Sequence, residues 1–224
     1  MQVFAKTDIG KARDNNQDFY YISNSGDVPE VYILADGMGG YNGGEIASKM
    51  AAESASNYIK SNFQKMLETI NERKQKEDNK NIEKDEILKL VKSGIQYANM
   101  VVYEEAKKNP ELEGMGTTLE LVLGYGNKIY IGHVGDSRIY RVRKNIIRKL
   151  TTDHSYVEKL VKEGTITREE AENHPKKNML MKALGCTPYV EPDVTTKGFL
   201  KGDKIVLTSD GLTNMVSNQE IYDI

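Results

Sequence analysis

The chain has 224 residues, with 31 lysines and arginines against 33 aspartates and glutamates, a formal charge of -2 and a pI near 6.0. That size suits one well-cored domain, and the near balance of charge leaves no overall positive field to draw nucleic acid or anionic lipid. A single cysteine, Cys186, excludes an intramolecular disulfide framework; the opening residues lack the apolar core of a secretion signal, and no stretch approaches the ~18 apolar residues of a membrane span, so a cytoplasmic protein without membrane insertion is expected.

VFAKTDIG and DFYYIS carry β-branched and aromatic residues around a polar loop containing Arg13, Asp14, Asn15, Asn16 and Gln17, and predict two short strands. VYILAD follows, an apolar run that stops at Asp36, and then a glycine-rich turn from Gly37 to Gly44. A helix is expected from near Glu45, with Ala47, Met50, Ala51, Ser54 and Tyr58 at three- and four-residue spacing. Residues 71–86 have Ile82 as their only apolar residue, and without an apolar face to dock they favour a solvated loop over a helix extension. Beyond Asp85, a candidate N-cap, Ile87, Val91, Ile95, Ala98 and Val102 mark a second amphipathic helix. The two helices are expected to pair over one face of a sheet.

From Thr117 the period changes to two. Leu119, Leu121 and Leu123 alternate with their neighbours, a Tyr-Gly-Asn-Lys turn follows, and KIYIGHVGD returns to deliver Asp136. RIYRVR then turns at Lys144 and Asn145 into IIRKL. In residues 151–185, Ser155 with Glu158 and Thr167 with Glu170 have capping-box spacing, which predicts a small helical insertion. KIVLTSDGL is a core strand that ends on Asp210. Three apolar runs from distant parts of the chain thus each end on an aspartate flanked by glycine, which gathers Asp36, Asp136 and Asp210 at one end of a sheet. Carboxylates so gathered repel unless a cation neutralises them, and all-oxygen ligation selects Mg²⁺ or Mn²⁺ over zinc. A metal-dependent hydrolase is the first hypothesis.

TDIGKARDNNQD, ADGMGGYNGGEIAS, GMGTTL, HVGDSRIY, TTDHSYVEKLVKEGTIT, HPKKNMLMKALG and LTSDGLTN occur in one order from the first residues to the last. In these blocks the sequence resembles the bacterial branch of the metal-dependent type 2C protein serine/threonine phosphatases. The resemblance implies an α+β fold: an antiparallel β-sandwich flanked on both faces by helix pairs, in a single catalytic domain over residues 1–224, with a flap at 151–185 beside the active site. It implies two core Mn²⁺ or Mg²⁺ ions and, in bacterial members, a more weakly held third. On the matching positions, Asp36 bridges the core ions, the Gly37 carbonyl binds the second, Asp210 binds the first, and Asp136 holds the third with Asp210 shared. Asp18 acts through bound water, and Arg13 binds the phosphate with its planar fork. The implied reaction is attack of a metal-activated water on phosphoserine or phosphothreonine in proteins, without a covalent enzyme intermediate. The implied partners are phosphorylated proteins and a cognate serine/threonine kinase.

The sequence departs from the family at two places. Met38 stands where eukaryotic relatives carry a histidine, so the usual proton donor is missing. Family members also continue past SDGL to another aspartate-asparagine motif and closing strands that this sequence does not contain, and Asp223 follows Asp210 too soon to be the counterpart. The expectation is a truncated domain with a weakened first metal, and the alternative function is a catalytically weak phosphoprotein-binding regulatory module. Among the remaining residues, His133 is expected as a hydrogen-bonded core residue. His154 and His174 in the flap stay open between assisting catalysis, capping helices and touching substrate. Cys186 and the methionines of NMLMKALG are expected to pack the core.

Overall fold

The computed structural model describes residues 2–11, 13–24, 26–39 and 43–223. The first half runs β1 (Asp18–Ile22), β2 (Glu30–Met38), α1 (Gly43–Lys76), α2 (Ile82–Lys108), β3 (Gly116–Thr117), β4 (Leu119–Tyr125) and β5 (Lys128–Val134). The second half adds β6 (Arg138–Arg143), β7 (Ile146–Lys149), α3 (Tyr156–Lys162), α4 (Arg168–Glu172), β8 (Asp193–Gly198), β9 (Lys204–Thr208), α5 (Asp210–Thr213) and α6 (Asn218–Asp223). One antiparallel sheet has the order β1-β2-β4-β5-β8, with β3 paired to β2, and a smaller one has the order β7-β6-β9.

Strand alternation sorts the apolar residues into two layers. Val31, Ile33, Leu119, Leu121, Leu123 and Tyr130 face the helix pair, where Ala47, Ala51 and Ala55 of α1 allow close approach and Ile59, Ile95 and Val102 fill the layer. Val122, Ile129 and Ile131 face the smaller sheet and meet Ile139, Ile205 and Leu207. β4 and β5 are therefore buried on both faces, which explains why they read as nearly continuous apolar runs. Each such Ile or Leu removed from water contributes roughly 1.5–3 kcal/mol. The layers leave the strand ends that carry Asp36, Asp136 and Asp210 at the rim of the sandwich.

Several expectations change. Residues 71–86 are mostly helical: α1 runs to Lys76 and α2 starts at Ile82, leaving a short turn between. Ile82 is fully buried, and Arg73 pairs with both Glu77 and Glu86 while Lys74 pairs with Glu83. One buried anchor and charges that cross between helices replace the missing apolar face. Asp85 consequently lies in the first turn of α2, with Asn81 at the cap position. VFAKTDIG forms no strand among the described residues, and Phe4 is 86% exposed. A helix pair covers the larger sheet; on the smaller one the described helices are short, with α6 resting against β7. β8 was not anticipated, because DVTTKG has little apolar content and is held by its ladder to β5.

The insertion forms as predicted. Ser155 Oγ accepts the Glu158 N–H at the start of α3, and Thr167 with Glu170 makes a full capping box on α4. The segment is stitched back to the sheet by a bridge between Thr117 and Leu184 and closed on itself by one between Ser155 and Leu180. The methionines of NMLMKALG do not enter the core: Met179 and Met181 are each 50% exposed, because the segment lies over the sandwich rim instead of inside it.

Candidate metal and phosphate site

Asp36 lies near the end of β2, directly opposite Asp18 on β1. Asp136 follows β5, and Asp210 follows β9 as the first residue of α5. The structure brings the four together. Burial, then the charges of Asp18, Asp210 and Asp136, push the Asp36 carboxyl up to about 8, and it shares a hydrogen bond with Asp18. Burial, then Asp210 and Asp153, raise Asp136 to about 6. Ser209 Oγ donates to Asp18 Oδ2 at 2.7 Å, and Asn214 Nδ2 donates to Asp210 Oδ2 at 3.1 Å.

The backbone around Asp36 is held tightly. Its carbonyl accepts the Thr118 N–H at 2.9 Å and lies 2.9 Å from the Thr117 hydroxyl, while the Gly37 N–H donates to Gln17 O at 3.0 Å. Gly37 is required by close approach: a Cβ there would lie 2.0 Å from the carbonyl oxygen of Gly44, where α1 begins. The glycine-rich turn thus lets the helix start press against the strand end.

Among the described residues, no three acidic, histidine or cysteine side chains close into a ready-made cage for one ion. The charge crowding is the better guide to the site, because it persists whichever way the carboxylates rotate. Crowded carboxylates at a partly buried rim, with the pKa of Asp36 and Asp136 raised and backbone oxygen beside them, suit a hard divalent ion that keeps water among its ligands. A protein-only cage is what such an ion does not require.

Arg13 is exposed on the loop before β1 and has no carboxylate partner among the described residues, so the surface ion pair with Asp14 or Asp18 is not formed. His133 is a core residue, as expected: its Nε2–H donates to the Thr152 carbonyl at 2.8 Å and its Nδ1 lies 2.7 Å from Glu120 Oε1. Since the carbonyl fixes a proton on Nε2, the buried Glu120–His133 contact holds one shared proton. His154 stacks on His133 with centroids 4.5 Å apart, and its Nδ1 accepts the Gly135 N–H at 3.1 Å. Burial, then His133 and Lys182, lower its pKa to about 4, which keeps the ring neutral near pH 7, and its Nε2 lies 3.3 Å from Asp193 Oδ2. His174 is engaged within the insertion, accepting the Lys176 N–H and packing by Tyr156. Cys186 is exposed, contrary to expectation, because the ALGCTP turn lies on the outside; burial of its sulfur still raises the thiol pKa, which disfavours a thiolate.

Sequence reasoning missed the groups that hold the aspartates in place: Thr118, Ser137 and Ser209, and the Arg138–Asp153 pair at 2.9 Å that ties the Asp136 segment to the insertion. Their signal was present, since GMGTTL, GDSR and TTDH contain them, but their pairing depends on the fold.

The profile of the protein phosphatase 2C family matches residues 10–223. The serine/threonine phosphatase stp of Listeria welshimeri is 37% identical over 224 residues, covering 100% of this chain and 82% of that protein. The Streptococcus agalactiae serine/threonine phosphatase structure superposes with a TM-score of 0.80 at 39% identity, covering 97% of this chain and 83% of the other. The catalytic domain of the serine/threonine protein phosphatase PstP, described in complex with two manganese ions, gives a TM-score of 0.76 at 32% identity, covering 97% of this chain and 81% of the other. With the family profile, the relatives and the sandwich with its aspartate rim in agreement, the chain belongs to the protein phosphatase 2C family.

Proposed function

We infer that this chain is a metal-dependent protein serine/threonine phosphatase that hydrolyses phosphoserine and phosphothreonine by water attack. The observation that carries the reading is the set of four mutually repelling carboxylates, Asp18, Asp36, Asp136 and Asp210, at the rim of the sandwich. Two bound Mn²⁺ or Mg²⁺ ions would neutralise that charge and supply a water nucleophile at neutral pH. Asp36 would hold both core ions, with the Gly37 carbonyl on the second and Asp210 on the first, and Asp136 would share a third ion with Asp210. Asp18 would act through water, and its Oδ2 is oriented by Ser209.

Arg13 would bind two oxygens of the dianionic phosphate, a role open to it because no carboxylate among the described residues occupies its guanidinium. No side-chain nucleophile is needed, and the raised thiol pKa of Cys186 fits that. The whole chain acts as one catalytic domain, with 151–185 as a flap beside the site. Its substrates are phosphorylated proteins, most directly those of a serine/threonine kinase in the same cytoplasm; no helix among the described residues is long and apolar enough to cross a membrane.

Phosphate release from a phosphothreonine peptide tests the reading. Turnover is expected with Mn²⁺ and should vanish with EDTA. Undiminished release in EDTA overturns the metal-dependent mechanism, and phosphopeptide binding without turnover in Mn²⁺ supports the regulatory-module alternative.

A further inference from the structure

We infer that Thr118 is a positioning residue for the metal centre, its hydroxyl coupling the backbone of Asp36 to the loop that carries Asp136. The inference deepens the metal-centre reading above and rests on it. β2 keeps one register past the site, with Leu34 opposite Glu120 on one side and Gly37 opposite Thr117 on the other. Asp36 therefore faces Thr118, the residue where β3 and β4 are interrupted. In an unbroken antiparallel ladder, a hydrogen-bonded pair exchanges both backbone bonds. Here only one is made, from Thr118 N–H to Asp36 O at 2.9 Å. The Asp36 N–H turns instead to Thr118 Oγ1 at 3.0 Å.

That replacement creates the coupling. The same Oγ1 lies 2.9 Å from Ser137 Oγ, on the residue after Asp136. On the other side of Asp136, Gly135 has φ 117°, and a Cβ there would lie 2.5 Å from the Thr118 methyl carbon. Thr118 is 2% exposed and Ser137 fully buried, so neither hydroxyl can exchange its partner freely for water. One side chain thus grips Asp36 through its N–H and borders both neighbours of Asp136. Two carboxylates from segments distant in sequence acquire a fixed relative position, which a multi-ion centre needs and which a ladder carbonyl, pointing only across the strands, would not give.

The test is Mn²⁺ titration by calorimetry on the full chain, with melting in EDTA measured in parallel. Thr118→Val keeps the shape and removes the hydroxyl; it should weaken Mn²⁺ binding about tenfold or more, while Thr118→Ser, which keeps the hydroxyl, should stay within about threefold of wild type. Ser137→Ala removes one end of the link and should fall between them. Wild-type Mn²⁺ affinity in Thr118→Val overturns the inference even if that variant melts lower, because the role would then be structural only. Thr118→Ser as weak as Thr118→Val overturns it too, since the methyl and not the hydroxyl would be responsible. Should Thr118→Val fail to fold, Ser137→Ala with unchanged affinity overturns it. A wild-type chain that binds no Mn²⁺ overturns the metal-centre reading itself, and the inference with it.

Discussion

If the aspartate cluster is built for cations, it must cost stability when they are absent, and Asp36→Asn measures that cost. In the unfolded chain an aspartate titrates near 3.8, whereas Asp36 in the folded metal-free protein titrates at about 8. Below pH 4 both states hold the proton and no penalty exists. Between pH 4 and 8 the folded state keeps a proton that the unfolded state releases, so stability falls as pH rises; above 8 the penalty is complete and constant. At about 1.4 kcal/mol per pKa unit, the upper bound at pH 7 is about 4 kcal/mol. The hydrogen bond between Asp36 and Asp18 is lost or remade on substitution, and a buried amide has its own desolvation cost, so a working figure is about 2 kcal/mol.

Asn is isosteric, carries no charge and can donate to Asp18. In EDTA at pH 7.5, Asp36→Asn should therefore melt about 4–8 °C above wild type, given roughly 2–4 °C per kcal/mol for a chain of this size. The advantage should shrink as pH falls toward 4. In saturating Mn²⁺ the order should reverse, because only wild type gains binding energy on folding. Differential scanning calorimetry across pH, with and without metal, reads all three. If Asp36→Asn melts at or below wild type in EDTA at pH 7.5, the claim of a frustrated carboxylate cluster is wrong.

Arg13→Ala should raise KM for a phosphothreonine peptide and weaken inhibition by inorganic phosphate while leaving Mn²⁺ affinity unchanged, and Arg13→Lys should recover only part, since it lacks the fork; unaltered steady-state kinetics in Arg13→Ala would remove it from the site. In the core, His133→Ala strands Glu120, which is fully buried, and should cost about 3 kcal/mol or more in urea denaturation, whereas the double change Glu120→Leu with His133→Leu should cost less. A double variant less stable than the single one would show that the pair contributes net attraction beyond its desolvation.

Where a residue's role was set by its immediate neighbours, the sequence declared it. Asp36, Asp136 and Asp210 were legible because a buried strand emerging at a glycine turn is a local pattern, and Ser155 and Thr167 because N-cap to N3 spacing spans only four residues. The apolar spacing of α2 placed Ile87, Val91, Ile95, Ala98 and Val102, all of them fully buried. What failed depended on partners elsewhere. The helical extension through residues 71–76 relies on Glu83 and Glu86 across the turn, and DVTTKG is a strand only because β5 lies beside it. Thr118 was visible as part of GMGTTL, but its hydroxyl has a role only once the β2 register sets Asp36 opposite it.

The chemical nature of the supports around the cluster follows from the same electrostatics. The carboxylates of Asp18 and Asp210 accept from Ser209 and Asn214, while Thr118 holds the Asp36 backbone N–H and is itself bonded to Ser137, the neighbour of Asp136; all are neutral groups. A lysine or arginine in place of Ser209 or Asn214 would satisfy the carboxylate more strongly, but it would also neutralise it and compete with a divalent ion for the same oxygens. Arg138, the cation that acts on Asp136, is committed elsewhere: it donates through Nε and Nη2 to Asp153 at 3.1 and 2.9 Å, and Lys149 donates to the other Asp153 oxygen at 3.0 Å. Burial opposes ionisation of Asp153, but Lys149 and Arg138 outweigh it and hold its pKa below the ordinary value. Asp153 thus stays charged and keeps both cations occupied. Among the described residues the cluster is left short of positive charge, and Arg13, which has no carboxylate partner there, is the side chain proposed above to meet the phosphate.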